Sequence, residues 1–218
     1  MQPNKLKARG IFLDLDGTIV DSTDAYIRAA EIAFHAIGKT APPRELLFEI
    51  PRRMEQNLTF SDITGADVKG FVKHYLQAYY SVTEAKTRLI PNVAKTLKLL
   101  SEKSKLALIT MRHAPKEVIS KELDYFRISQ YFKHVVTALD TSKPKPSPEA
   151  LIQCARALDI EICDCLIAGD SVNDVRAGKA AGAVTVAVLS GLFGRNDLAK
   201  EKPDLILQDL SQLPQFIE

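Results

Sequence analysis

The sequence is poor in cysteine, has no long apolar run and is almost neutral in net charge, and each shortage excludes a class of protein. Its three cysteines, Cys154, Cys163 and Cys165, are odd in number and fall at expected helix and strand-entry positions, which argues against a disulfide framework. Cys163 and Cys165 have no second cysteine pair or suitably spaced histidine with which to hold zinc, so they are expected to be small buried thiols. No apolar stretch is long enough for a membrane span or a signal-peptide core, and the start, Met1 to Arg9, is polar and basic; a cytoplasmic protein is expected. The 29 basic and 27 acidic residues are spread along the chain and leave a net charge of +2, so no basic patch points to nucleic acid or a membrane surface. There is no internal repeat, low-complexity tract or long charge run. With 46% hydrophobic and 26% charged residues in 218, the composition is that of an ordinary globular protein able to bury a substantial core.

What the sequence does contain is a pair of carboxylates where a pair is costly. Asp14 and Asp16 follow the apolar run Ile11, Phe12 and Leu13, which suits a buried parallel strand, and Gly17 and Thr18 turn the chain away. The acids therefore sit at a strand's carboxyl end, where open α/β sheets place ligands, and a divalent cation is the simplest way to hold them together at neutral pH. Three further segments end at the same face. The run Lys105 to Thr110 is a strand ending in a hydroxyl, Ser142 to Pro148 puts lysines on a stiff turn, and Cys165 to Asp174 is a strand ending in the acids Asp170 and Asp174.

The chain between and beyond these segments divides in two. From Asp21 to about Arg88 no β-rich run occurs; apolar residues recur at helical spacing through Tyr26, Ala29, Ala30, Ala33, Phe34 and Ile37, with Asp21 or Ser22 as cap and Gly38 as stop. A second stripe runs through Val68, Phe71, Val72, Tyr75, Leu76 and Tyr79. From Ile90 onward helix and strand patterns alternate, with strands ending near Thr110, Thr137, Gly169, Val188 and Leu207, as in a parallel sheet covered on both faces. The expected fold is α/β: a Rossmann-like, doubly wound core from residues 1–20 and 89–218, interrupted by a small helical-bundle cap at residues 21–88.

In order and spacing the four segments resemble the haloacid dehalogenase-like hydrolases, in particular the phosphoglycolate phosphatase and β-phosphoglucomutase branch with a helical cap. Asp14-x-Asp16-Gly17-Thr18 paired with Gly169-Asp170-Ser171-x-x-Asp174 carries the resemblance, which spans nearly the whole chain. It implies phosphoryl transfer on a small phosphorylated metabolite with Mg²⁺. Asp14 would be the nucleophile that becomes an aspartyl phosphate, and Asp16 the acid and base, its backbone carbonyl also on the metal. Asp170 and Asp174 would complete the metal site, with Ser171 and Asn173 orienting them; helix capping is the alternative for Asp174. Thr110 and the backbone after it, at Met111 and Arg112, would bind phosphate oxygens.

Two registers satisfy the family's Lys-Pro-x-Pro pattern. Lys143 is preferred to Lys145 because it places prolines at 144, 146 and 148 before the next helix, and its ammonium would neutralise the phosphoryl group and Asp14. The branch often has Asn after the threonine, whereas Met111, Arg112 and His113 follow here; Arg112 is either a contact for a second substrate anion or a solvated arginine. Arg52 and Arg53 follow Pro51, which would present the first of them on a stiffened turn, and are either contacts for the substrate's non-reacting end or solvated helix residues. No histidine receives a role. A phosphatase is the leading activity and a phosphomutase its nearest rival; a non-catalytic binding protein is opposed by the intact set of acids, threonine and lysine. Dehalogenases and phosphonatases lack the second acid that Asp16 supplies.

Overall fold

The computed structural model describes residues 5–218, so Met1 to Asn4 of the expected core lie outside the described residues. The chain divides into two compact units, Met1–Val20 with Leu89–Glu218, and Asp21–Arg88. Two short paired strands, β2 (Val20–Asp21) and β3 (Arg88–Leu89), mark where it leaves and rejoins the larger unit.

The larger unit is built on a six-stranded parallel sheet. Its strands are β1 (Gly10–Leu13), β4 (Lys105–Ile109), β5 (Phe132–Val136), β6 (Cys165–Gly169), β7 (Val184–Val188) and β8 (Leu205–Leu207), in the spatial order β5-β4-β1-β6-β7-β8. The central strands are short apolar runs because both faces are covered. Ile11 and Leu13 face one core cluster with Leu106, Leu108, Leu166 and Ala168, against α5 (Val93–Ser101) and α6 (Lys116–Tyr125). Phe12 faces the other with Ala107, Ile109, Cys165 and Ile167, against α7 (Glu149–Leu158) and α8 (Val172–Ala181). A short helix α9 (Arg195–Lys200) follows β7.

The winding reverses at β1: β4 and β5 are added on one side and β6, β7 and β8 on the other. Strand ends part at such a point and leave a crevice beyond their carboxyl ends. Leu13 lies in register with Leu108 and with Ala168, so the residues following β1, β4 and β6 emerge there side by side.

The smaller unit contains α1 (Thr23–Ala36), α2 (Arg44–Glu55), α3 (Ser61–Thr64) and α4 (Val68–Lys86). Its core joins Ala29, Ala30, Ala33 and Phe34 of α1 to Phe71, Tyr75, Ala78 and Tyr79 of α4, with Phe34 and Phe71 edge to face at 4.9 Å. Asp21 does the capping at the start of α1, its Oδ1 accepting from Thr23 N at 2.9 Å, and Gly38 at φ +70° ends the helix. Two expectations need correction here. Pro51 lies inside α2 rather than on a turn, packed in that helix beside the buried Ile50, and Leu76 of the α4 stripe is exposed, whereas Phe71, Tyr75 and Tyr79 of the same stripe are buried in the core.

Candidate active site

Asp14 is the first residue beyond β1, and its backbone N–H donates to Ala168 O at 3.0 Å, continuing the sheet's ladder by one rung. The carboxylate is thereby fixed between the ends of β4 and β6. Asp170 follows β6, and Asp174 lies in the first turn of α8. Oxygens of Asp14, Asp170 and Asp174 lie within 4.8 Å of one another, and all three residues are buried. Each is held by its own contacts. Asp170 accepts from Leu192 N at 2.7 Å and from Thr18 Oγ1 at 3.4 Å. Asp174 accepts from Ser171 N at 3.1 Å in a reciprocal capping box, so it both caps the helix and belongs to the acidic cluster.

Two glycines make the close approach around Asp170 possible. Gly17 adopts φ +79°, and a Cβ there would stand 2.5 Å from Asp170 Oδ2. A Cβ on Gly191, in the loop after β7, would collide with the same carboxylate. That loop is tied back to the first motif, since Ser190 Oγ donates to Gly17 O at 2.7 Å.

The lysine at the site is Lys145, not Lys143. Lys145 Nζ lies 2.6 Å from Asp14 Oδ1, 2.6 Å from Asp174 Oδ1 and 3.3 Å from Ile109 O, and the residue is only 4% exposed. Lys143 is exposed, its backbone N–H engaged at 3.1 Å by Glu149, which also receives Ser142 N and Oγ. Glu149 opens α7, so it fixes this end of the turn to the helix start and leaves the second lysine to enter the site.

Thr110 directly follows β4 and is buried, its N–H bonded to Val136 O at 2.9 Å, and its hydroxyl oxygen accepts from Arg112 N at 3.2 Å. The hydroxyl proton is thus directed to some other acceptor. Met111 is half-buried, with its backbone in the same loop. Arg112 is neither solvated nor open to a substrate anion: it is 6% exposed, with Nε and Nη2 on the two oxygens of Asp16 at 2.7 and 2.6 Å and Nη1 on Glu122 Oε2. In the smaller unit Arg52 pairs with Glu49 at 2.8 Å, and Arg53 with both oxygens of Asp62 at 2.8 and 2.9 Å.

The charges define what the site can hold. Burial pushes the Asp14 carboxyl well above the ordinary carboxylate range, Lys145 opposes that rise, and Asp174 and Asp16 add to it. Burial also disfavours the Lys145 ammonium, yet attraction to Asp14 and Asp174 outweighs it and keeps the lysine charged. One ammonium among three buried acids leaves an excess of negative charge, carried entirely by oxygen donors. Such a donor set suits a hard divalent cation and does not resemble a thiolate or imidazole site. Among the described residues this is the group arranged to hold a metal. The cysteines are free, as expected, but Cys163 is exposed at a short 3-10 turn rather than buried.

Several contributors were not visible in the sequence. Glu122 looks like any polar helix residue, and Leu192 acts through its backbone. Gly191, following a strand and a serine, was the one readable signal.

The haloacid dehalogenase-like hydrolase family model matches residues 11–188, and the chain belongs to that family. It is 30% identical to the phosphoglycolate phosphatase of Escherichia coli strain K12 in an alignment covering 94% of this chain and 90% of that one. Among solved structures it superposes on a Bacteroides fragilis protein assigned to the haloacid dehalogenase-like hydrolases with a TM-score of 0.81, at 24% identity, covering 95% of this chain and 100% of that one. A Thermotoga maritima protein assigned as a β-phosphoglucomutase shares the fold at a TM-score of 0.70 and 21% identity, with 94% and 96% of the two chains covered. The chain is a phosphoric monoester hydrolase with an α/β, Rossmann-like core. Among the described residues no helix is long and apolar enough to cross a membrane.

Proposed function

We propose that the protein is a Mg²⁺-dependent cytoplasmic phosphatase acting on a small phosphorylated metabolite of the phosphoglycolate kind through an aspartyl phosphate on Asp14. The observation that carries this reading is the placement of Asp14 at the switch point, against Lys145 and beside Asp170 and Asp174. A carboxylate oxygen of Asp14 forms a bond to phosphorus as the P–O bond to the leaving group breaks, and Asp16 gives that oxygen its proton. In the second half Asp16 takes a proton from water, the water oxygen bonds to phosphorus, and the Asp14–phosphorus bond breaks to regenerate both acids and release phosphate. Division into two steps suits a reaction whose uncatalysed rate is among the slowest known.

Lys145 neutralises charge on the phosphoryl group while holding Asp14 in line, and the Thr110 hydroxyl donates to a phosphate oxygen. Asp14, Asp170, Asp174 and the Asp16 carbonyl would hold the Mg²⁺, which when bound neutralises the acids and a phosphate oxygen. Residues 21–88 act as the cap that determines specificity, with Arg52 and Arg53 as its candidates for a second substrate anion; each would exchange a carboxylate partner for the substrate.

The test is a comparison of 2-phosphoglycolate with p-nitrophenyl phosphate, which has no second anion, in wild type, Arg52→Ala and Arg53→Ala. Phosphoglycolate should be the better substrate by kcat/KM, and an arginine contact appears as a selective loss on it. If wild type does not prefer phosphoglycolate over a panel of other phosphorylated metabolites, the substrate class is wrong; an unchanged ratio in both variants assigns the arginines to cap structure.

A further inference from the structure

The loop after β4 joins Asp16 to an ion-pair chain whose other two members, Arg112 and Glu122, the phosphoryl-transfer reading does not use. Arg112 grips Asp16 with two parallel N–H donors, Nε to Oδ2 at 2.7 Å and Nη2 to Oδ1 at 2.6 Å, and its third arm, Nη1, bonds Glu122 on α6. All three side chains are largely buried. The backbone of Arg112 is fixed as well, its N–H on Thr110 Oγ1 at 3.2 Å and its carbonyl accepting from Ala138 N at 3.2 Å.

Three physical consequences follow. A two-point fork fixes the plane of a carboxylate, which a single ammonium cannot do. A carboxylate has about four acceptor positions and the fork takes two, so the grip is compatible with proton exchange at Asp16. Glu122 shares the guanidinium, so the cation is balanced by two acids and does not bind Asp16 with its full charge. Breaking so buried a pair from one side leaves an uncompensated charge, which is why all three members depend on one another.

We propose that Arg112 is a positioning residue that orients the Asp16 carboxylate for proton exchange with the leaving group, and that Glu122 anchors Arg112 in that role. The proposal rests on the reading of Asp16 as the acid and base. It gives the departure at Met111, Arg112 and His113 a purpose unrelated to substrate binding.

The experiment measures kcat/KM on an alkyl phosphate, whose leaving oxygen needs a proton, and on p-nitrophenyl phosphate, whose leaving group scarcely does. The variants are Asp16→Asn, Arg112→Lys, Glu122→Gln and Glu122→Ala, each checked for folding by circular dichroism and thermal unfolding. Asp16→Asn should lose about 10²–10⁴-fold on the alkyl phosphate and much less on p-nitrophenyl phosphate. Arg112→Lys keeps the charge but loses the fork, and should show the same selectivity with a loss of roughly 10- to 100-fold on the alkyl phosphate. Glu122→Gln retains an acceptor but loses the charge and should show a smaller selective loss than Glu122→Ala, both below that of Arg112→Lys. If Asp16→Asn is selective and Arg112→Lys lowers both substrates equally or neither, the positioning role is overturned and the Asp16 reading stands. If Asp16→Asn itself is unselective, the acid role of Asp16 falls and takes the proposal with it.

Discussion

Lys145 Nζ stands 2.6 Å from Asp14 Oδ1, a buried ion pair made by a lysine two residues beyond the one the sequence favours. The same ammonium reaches Asp174 at 2.6 Å, so it ties the residue after β1 to the first turn of α8. Removing it strands two acids in a desolvated site, whereas Lys143 can be lost without exposing any buried charge.

Lys145→Ala should therefore lower kcat by about 10²–10³-fold, the usual cost of deleting a key electrostatic stabiliser. Lys143→Ala should change it by no more than about twofold, as for an ordinary surface substitution. Steady-state kinetics on p-nitrophenyl phosphate, with unfolding curves for both variants, make the comparison. A large loss in the Lys143 variant alone would restore the other register.

The acidic cluster makes a prediction about stability as well as rate. Because burial raises the Asp14 carboxyl above its unfolded value, that group stabilises the fold only at low pH, and its charge costs stability as pH rises toward neutrality. Mg²⁺ should offset this. At a hundred times its Kd it adds about 2.7 kcal/mol, or a rise in Tm of roughly 5–10 °C for a chain of this size. Asp14→Asn should match or exceed wild-type Tm without Mg²⁺ and lose most of the Mg²⁺ increment. Calorimetric scans with and without the ion check both halves, and an unchanged Tm at saturating Mg²⁺ would remove the metal from the account.

The thiols differ in a way that follows from position. Burial pushes Cys154 up to about 12 and Cys165 up to about 11, so at neutral pH neither is appreciably a thiolate. Cys163 alone is exposed. A chromogenic disulfide reagent should label Cys163 rapidly in native protein and the other two only after denaturation, with peptide mapping to identify the site.

Much of this arrangement is legible in the residues, for physical reasons that can be named. Ile11, Phe12 and Leu13 read as a buried parallel strand because both faces of the sheet are covered, and the acids after such strands are predicted at the sheet's carboxyl end, where Asp14 and Asp170 emerge; that this end is also the switch point is known only from the strand order. The lysine was ambiguous because two registers satisfy one motif, and the deciding contact is Glu149 on the backbone of Ser142 and Lys143, seven and six residues away in sequence. Pro51 disguised α2 as a turn, and α9, of six residues, is too short for a period to show. Glu122 stood on a helix whose pattern gave it no distinction; only the path of the loop from Thr110 brings Arg112 to it.

In the proposed reaction phosphorus becomes covalently bound to Asp14, and acid-quench trapping detects that bond. Asp16→Asn, which lacks the base for the second half, should still be phosphorylated by p-nitrophenyl phosphate and accumulate the intermediate in the presence of Mg²⁺. Rapid quenching and mass spectrometry of the digested protein should find one phosphoryl group on the peptide containing Asp14, close to stoichiometric with the first burst of nitrophenol and absent in Asp14→Asn. A burst of nitrophenol accompanied by free phosphate and no labelled Asp14 peptide, or by a label on another residue, would contradict the account.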